Sequence, residues 1–332
     1  MPCLHAGKAY DLVRGILAVQ DRAGSFWTRS LYDDPTAPSS AMHFAGLGID
    51  SDTFEDFLID PTQNLLVVLY HSAPDLAILP FLTLSRHEPH PKARHPTLTF
   101  KVDSYPLQLS MEIAHNILGA CTHLPGRLRI WNWHKGELIA NLSNRRGNFP
   151  SFQFLSPRAF VLGVSGMYSR IDIYVIQEGS PGRAVRAAAL GLPEINDPWF
   201  LRAIEIHSGP FCAHGTECPF VSDNSARIYL FWMEYTHDSV HEHSYVHLFV
   251  HHRTLHHYVS RYLQEGRTSH FDVLWNQWGP QSTRILEATF IACRETFTAS
   301  APSFPAPMAT HCICLTLMFF PAILSWTRES VL

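Results

Sequence analysis

Residues 127–141 read Arg-Leu-Arg-Ile-Trp-Asn-Trp-His-Lys-Gly-Glu-Leu-Ile-Ala-Asn, and this stretch decides the fold class. Leu128, Ile130 and Asn132 alternate with Arg129, Trp131 and Trp133, the period of two that a strand imposes on its two faces. One face is mainly aliphatic and the other carries two indoles, so the strand reads as part of a sheet covered on both sides. His134, Lys135 and Gly136 follow, with Gly136 at the position where a three-residue hairpin needs a left-handed backbone. Glu137 to Asn141 then returns as the partner strand. Trp131 and Trp133 are read first as packing between sheets and second as a ligand or peptide platform.

The same punctuation extends in both directions. Runs rich in β-branched, leucine and aromatic residues are broken by Pro, Gly, Ser and Asn every 8 to 12 residues or so, the spacing of an all-β domain. Strands are expected at Phe57–Asp60, Leu65–Tyr70, Leu76–Leu84 and Thr97–Val102, and again at Leu107–Ile113, Ile117–Cys121, Arg127–Trp133 and Glu137–Asn141. A third set covers Ser151–Leu155, Ala159–Gly163, Arg170–Ile176 and Ala187–Leu192, and a fourth opens with Ala203–His207 and Arg227–Trp232. Sets of four strands recurring about every 50 residues are the mark of a β-propeller, in which each sheet buries its faces only against its neighbours. The expected fold is therefore mainly β, an incomplete or irregular propeller-like repeat of four-stranded sheets. Residues 1–50 read as a lead-in with at most two strands, 51–285 as the propeller-like domain, and 286–332 as an atypical tail.

Composition narrows the function. The chain has 332 residues, of which 46% are hydrophobic and only 16% charged, which excludes a disordered or solvating polymer. Net charge is -4 and the basic residues form no block, so the electrostatic footprint of a nucleic-acid binder is missing. The apolar run Cys312–Leu324 is 13 residues long and holds Pro321, short of the ~20 residues a spanning helix needs. Seven cysteines without regular spacing make a poor disulfide framework and point to a reducing, intracellular setting, cytoplasmic or nuclear.

The eight histidines between His237 and His257 raise a metal site as the sharpest chemical hypothesis. Their spacing reads differently. Val246, Leu248 and Val250 alternate with His241, His243, Tyr245, His247 and His251, which describes a half-buried strand with its imidazoles on the wetter face. His241-Glu242-His243 also lacks the second histidine of H-E-x-x-H, since Tyr245 stands there. Beyond the strand, Leu255, Tyr258, Val259, Tyr262 and Leu263 fall at helical spacing behind Thr254 as N-cap. Cys212, His214 and Cys218, and His311, Cys312 and Cys314, are partial ligand sets without a second pair. Gly163–Met167 fails the G-x-S-x-G pattern at its last position. Asp60, Asp172 and Glu205 are isolated carboxylates with no partner for acid–base work.

Five strings resemble the region after the F-box in a large group of fungal F-box proteins. They are Phe57–Val68 (Phe-Leu-Ile-Asp-Pro-Thr-Gln-Asn-Leu-Leu-Val-Val), Leu128–Leu138, Phe152–Phe160 (Phe-Gln-Phe-Leu-Ser-Pro-Arg-Ala-Phe), Leu248–Leu255 and Trp278–Arg284. They occur in the family's order over about residues 45–285, while no F-box is evident in residues 1–45. The resemblance implies a propeller-like protein-recognition region. In complete members an F-box precedes it and docks to the small adaptor of a cullin-RING ubiquitin ligase. The expected function is a non-enzymatic protein-binding module of that kind, with no cofactor, metal, nucleic acid or membrane, and with Trp131, Trp133, Trp278 and Arg284 as candidate binding residues. Two other readings stand beside it: a metal-dependent enzyme using His241, His243 and His247, and a truncated gene product without independent function.

Overall fold

Hairpin after hairpin, the chain lays down antiparallel strands that pair with their neighbours in sequence. The computed structural model describes residues 9–21, 24–32, 40–43, 46, 48–49, 52–102, 109–122, 126–144, 151–166, 169–177, 183–193, 199–211, 224–237, 243–266 and 270–287. The chain divides into two units, Met1–Thr289 and Phe290–Leu332, and the second lies outside the described residues.

Sheet 1 comprises β1 (Ala9–Val13), β2 (Ile16–Gln20), β3 (Ser25–Ser30) and β4 (Ser40–His43). Sheet 2 comprises β5 (Phe54–Asp60), β6 (Leu65–Ala73), β7 (Leu76–Thr83) and β8 (Thr97–Lys101). Sheet 3 comprises β9 (Leu109–Ala114), β10 (Ile117–Thr122), β11 (Gly126–Asn132) and β12 (Glu137–Asn144). Sheet 4 begins with β13 (Phe152–Ser156), β14 (Ala159–Val164), β15 (Arg170–Ile176) and β16 (Ala184–Gly191). Sheet 5 begins with β17 (Trp199–Ser208), β18 (Ile228–His237) and β19 (His243–His251). The first strands of all five sheets line a common cavity, so the sheets form the blades of a five-bladed β-propeller.

Short turns make this possible. Arg14 and Gly15 both take positive φ, 50° and 74°, giving the two-residue loop whose twist suits a hairpin. After β5, the Asp60 side chain accepts the Thr62 N–H at 3.0 Å and caps a single 3₁₀ turn, and Asn64 leaves that turn in the left-handed region.

Four apolar layers fill the spaces between successive blades. Phe26, Phe54 and Phe57 pack between sheets 1 and 2; Phe81, Trp131 and Trp133 between sheets 2 and 3; Phe152, Phe154 and Phe160 between sheets 3 and 4. Ile173, Ile204, Phe231 and Leu248 belong to the layer between sheets 4 and 5. Leu128 and Ile130 face the third layer while Trp131 and Trp133 face the second, so sheet 3 is covered on both sides as its alternation requires.

Sheet 5 is completed late. Between β19 and its outer strand β21 (Thr283–Glu287) lie helix α1 (His252–Gln264), strand β20 (Phe271–Val273) and helix α2 (Trp275–Ser282). β20 joins sheet 4, running parallel to β16, with Ala188 opposite Phe271. α1 buries Leu255, Tyr258, Val259 and Tyr262 in the layer between sheets 4 and 5, the apolar face its spacing predicts.

Three expectations need correction. Residues 9–43 form four strands and a sheet of their own, not a lead-in with at most two. Helix α1 starts earlier than expected, with His251 at the N-cap and no side-chain cap bond, because β19 runs directly into it. Leu263 points outward, 41% exposed.

Candidate functional site

Around the propeller axis the first strands bring polar side chains to close quarters, although each strand contributes only one or two. Their bonds join blade to blade. Asp11 on β1 accepts the Ile59 N–H of β5 at 3.2 Å. Gln63, after β5, donates to the His115 carbonyl at 2.8 Å and to Asp60 Oδ2 at 2.7 Å. Glu112 on β9 accepts the Phe154 N–H of β13 at 2.5 Å, and the Ser151 hydroxyl accepts the Ile206 N–H of β17 at 2.5 Å. Ile59, Phe154 and Ile206 lie on first strands, which are edge strands of their sheets, and these bonds give their N–H groups an acceptor from the neighbouring blade.

These joints surround a cavity of about 170 Å³. Asp11 and Val13, Leu58 to Asp60, Met111 to Ile113, Gln153, and the segment Ser208 to Phe211 line it, so every blade contributes. Asp11, Asp60 and Glu112 line the cavity with Asp56 nearby, and burial raises the proton affinity of Asp11, Glu112 and Asp56. Desolvation pushes Asp11 up to about 6, against the opposing pull of the Ile59 N–H. It pushes Glu112 up to about 7, although Arg227, 3.3 Å away, favours the charged form. Asp56, farther along β5, rises to about 7, chiefly by desolvation and further through repulsion from Asp11 and Glu55. Arg227 is itself held by the carbonyls of Phe154 and Gly209 and lies over the Phe211 and Tyr229 rings, each 5.2 Å from its centre. A concave site with convergent polar groups and displaced pKa values is where a ligand is first sought.

The residues expected from sequence to bind a partner lie elsewhere. Trp131 is 5% exposed and Trp133 fully buried, both inside the layer between sheets 2 and 3. Trp133 stacks on Phe81 at 5.5 Å and donates its Nε1–H to the His115 carbonyl at 2.9 Å. Trp278 is 2% exposed on α2 and donates to the Gly191 carbonyl at 2.8 Å, pinning α2 to sheet 4. None of the three offers a surface platform: Trp131 and Trp133 pack between sheets, the first of their two readings, and Trp278 is buried on α2 against the layer between sheets 4 and 5. Arg284 is exposed on β21, opposite Phe249, and is not brought together with the tryptophans.

The histidine-rich strand is β19, with Leu248 and Val250 inward as its alternation requires. His243 contacts Glu234 at 2.8 Å, and the same carboxylate oxygen accepts from Arg202 at 3.0 Å. His247 lies four residues of extended chain away, about 13 Å at the usual rise, so it and His243 do not reach one ion. His241, the third residue of that alternative, lies outside the described residues, as do Cys212, His214, Cys218, His311, Cys312 and Cys314. Among the described residues, no three His, Cys, Asp or Glu side chains converge as a metal would require. Asp172 is not isolated: Arg170 donates to it at 2.8 Å and Arg186 stands 3.7 Å away. Asp60 serves the turn, and Glu205 lies 3.5 Å from His207. No described helix is long and apolar enough to cross a membrane.

No protein-family model and no curated protein matches the chain. Several solved structures are similar to it. The C-terminal WD40 domain of Sif2 is 11% identical with a TM-score of 0.41, the match covering 73% of this chain and 58% of that one. This chain thus spans less than two-thirds of that structure. A chain of the mitotic checkpoint complex gives 9% identity and a TM-score of 0.40 over 75% of both chains. Hsv2 of Kluyveromyces lactis gives 11% and 0.37 over 70% of this chain and 69% of that one.

Proposed function

We propose that this chain is a non-enzymatic protein-binding propeller, the substrate-recognition region of a protein of the fungal F-box type, and that it presents its partner at the mouth of the axial cavity. The carrying observation is that cavity, to which all five blades contribute while, among the described residues, no nucleophile and base are placed together around it. The five sequence strings support the family part of the reading, and the concave axial site to which every blade contributes supports the binding part.

The test is site-specific photo-crosslinking of the full chain in its native cells. A benzoylphenylalanine at Pro210, exposed beside the cavity, is expected to give a discrete protein adduct, whereas one at Lys135, on the exposed β11–β12 hairpin, gives none. Recovery of the small adaptor and cullin with the adduct supports the ligase assignment. An adduct without them leaves a binding module outside a ligase, and no adduct from Pro210 overturns the reading.

A further inference from the structure

We infer that the axial cavity accepts one cationic side chain of a protein partner, a lysine or arginine, in competition with protons. This rests on the reading of the chain as a protein-binding propeller and specifies the chemistry of its site. Two observations carry it. The cavity is a defined space of about 170 Å³, the size of one long side chain and too small for a folded element. Its acidic lining is also unevenly compensated. Asp60 is held by Thr62 and Gln63, and Glu112 by Arg227 and the Phe154 N–H. Asp11 is met only by the backbone N–H groups of Ile59 and Leu12, and among the described residues it forms no ion pair. A partly buried carboxylate without a counterion is stabilised by a cation brought to it.

The surroundings fix the sign of the pH dependence. β1 supplies Asp11; β5 supplies Asp60 and, farther along, Glu55 and Asp56; β9 supplies Glu112, with Arg227 behind it. β13 supplies the neutral Gln153, and Ser208 to Phe211 add no titratable side chain. The cation site exists only when Asp11 is ionised, and Asp11 titrates near 6. Binding therefore strengthens as pH rises through that value, by at least about fourfold between pH 5.5 and 7.5 from the ionised fraction of Asp11 alone, and the ionisation of Glu112, raised to about 7, acts in the same direction.

The experiment uses the full chain and the side-chain analogues butylammonium and butylguanidinium, with butanol as the neutral control, read by saturation-transfer NMR. Saturable binding of either cation at pH 7.5, weaker at pH 5.5 and absent for butanol, is expected. Asp11→Asn is expected to weaken it at least tenfold. Gln153→Arg, which supplies an internal guanidinium, is expected to abolish it and keeps the test open if the first variant does not fold. No saturable binding, equal binding of butanol, or unchanged binding in a folded variant overturns the inference. Binding of calcium in place of both organic cations also overturns it. A partner crosslinked at Pro210 by a chain that ignores both cations overturns the cation site alone, while failure of both experiments removes the protein-binding reading too.

Discussion

Arg227 reaches three blades with one guanidinium: Glu112 on sheet 3, the Phe154 carbonyl on sheet 4 and the Gly209 carbonyl after β17 of sheet 5. With both charged partners buried, removing one leaves the other without compensation. Arg227→Met is expected to cost about 3–5 kcal/mol in urea unfolding at pH 8, where Glu112 is ionised. Glu112→Gln keeps an oxygen for the Phe154 N–H and leaves Arg227 its two carbonyls, so it costs less; a reversed order would refute this account of the joint. Asp56 makes a separate prediction. Its carboxyl binds protons more tightly folded, near 7, than unfolded, near 3.8, so the folded state gives up stability as pH rises through that window. Asp56→Asn, which still offers an oxygen to the Phe57 N–H, should flatten the fall in urea midpoint between pH 5 and 7.5. Parallel profiles for variant and wild type would remove Asp56 as a cause. His71 acts in the opposite sense: desolvation lowers its pKa, so its contribution is lost as pH falls below about 6.5.

Two glycines in second strands set how closely one blade approaches the next. A methyl group at Gly119 on β10 would strike the Phe152 ring of sheet 4, and one at Gly163 on β14 would lie 2.7 Å from Ile204 Cγ2 and 3.1 Å from the Ile204 carbonyl of sheet 5. A ring can turn, whereas a backbone carbonyl in a first strand cannot yield without moving its blade. Gly163→Ala is therefore expected to cost about 1–3 kcal/mol by overpacking, and Gly119→Ala less, both read as thermal midpoints; equal midpoints for Gly163→Ala and wild type would sink the close-approach argument. Strands of sheets 2, 3 and 4 were legible because their residues alternate between two apolar layers and their turns carry Pro, Asn or Gly. Sheet 1 was under-read, as at most two strands, because the β1–β2 hairpin turns at Arg14, which takes positive φ without being a residue type that signals it. β20 has three residues and pairs parallel with a strand far back in sequence, which no local pattern discloses.

At the scale of the ring, the axial site was illegible for the same reason that it exists. Its polar residues come one or two from each first strand, separated by a whole blade of sequence, so no short motif contains two of them except around Asp60. The signal that was available is positional and partial: Asp11 and Glu112 hold the same place in their first strands, paired with Ala18 and Gly119, whereas Asp60 and Gln153 sit at other positions of theirs. The same ring geometry governs how the molecule comes apart. Sheets 2, 3 and 4 each sit between two of the four apolar layers, whereas among the described residues sheet 1 contributes only to the layer it shares with sheet 2. Sheet 5 also contributes to one layer, but it is tied back to sheet 4: the chain leaves β19, buries α1 between the two sheets, adds β20 to sheet 4, anchors Trp278 on Gly191, and returns as β21. Local opening follows the amount of apolar area that must be exposed, so sheet 1 is expected to open at the lowest free energy and sheet 4 at the highest. Hydrogen exchange of the full chain, read by mass spectrometry in low urea, should find the amides of β2 and β3 exchanging first and those of β14 and β15 last. Shortening the tie by Trp278→Ala, which leaves a large cavity and frees the α2 anchor, should move sheet 5 toward the behaviour of sheet 1 while leaving β6 and β10 unchanged. Sheet 1 exchanging as slowly as sheet 4 would mean that a layer joins it to sheet 5, and this order of opening would then fail.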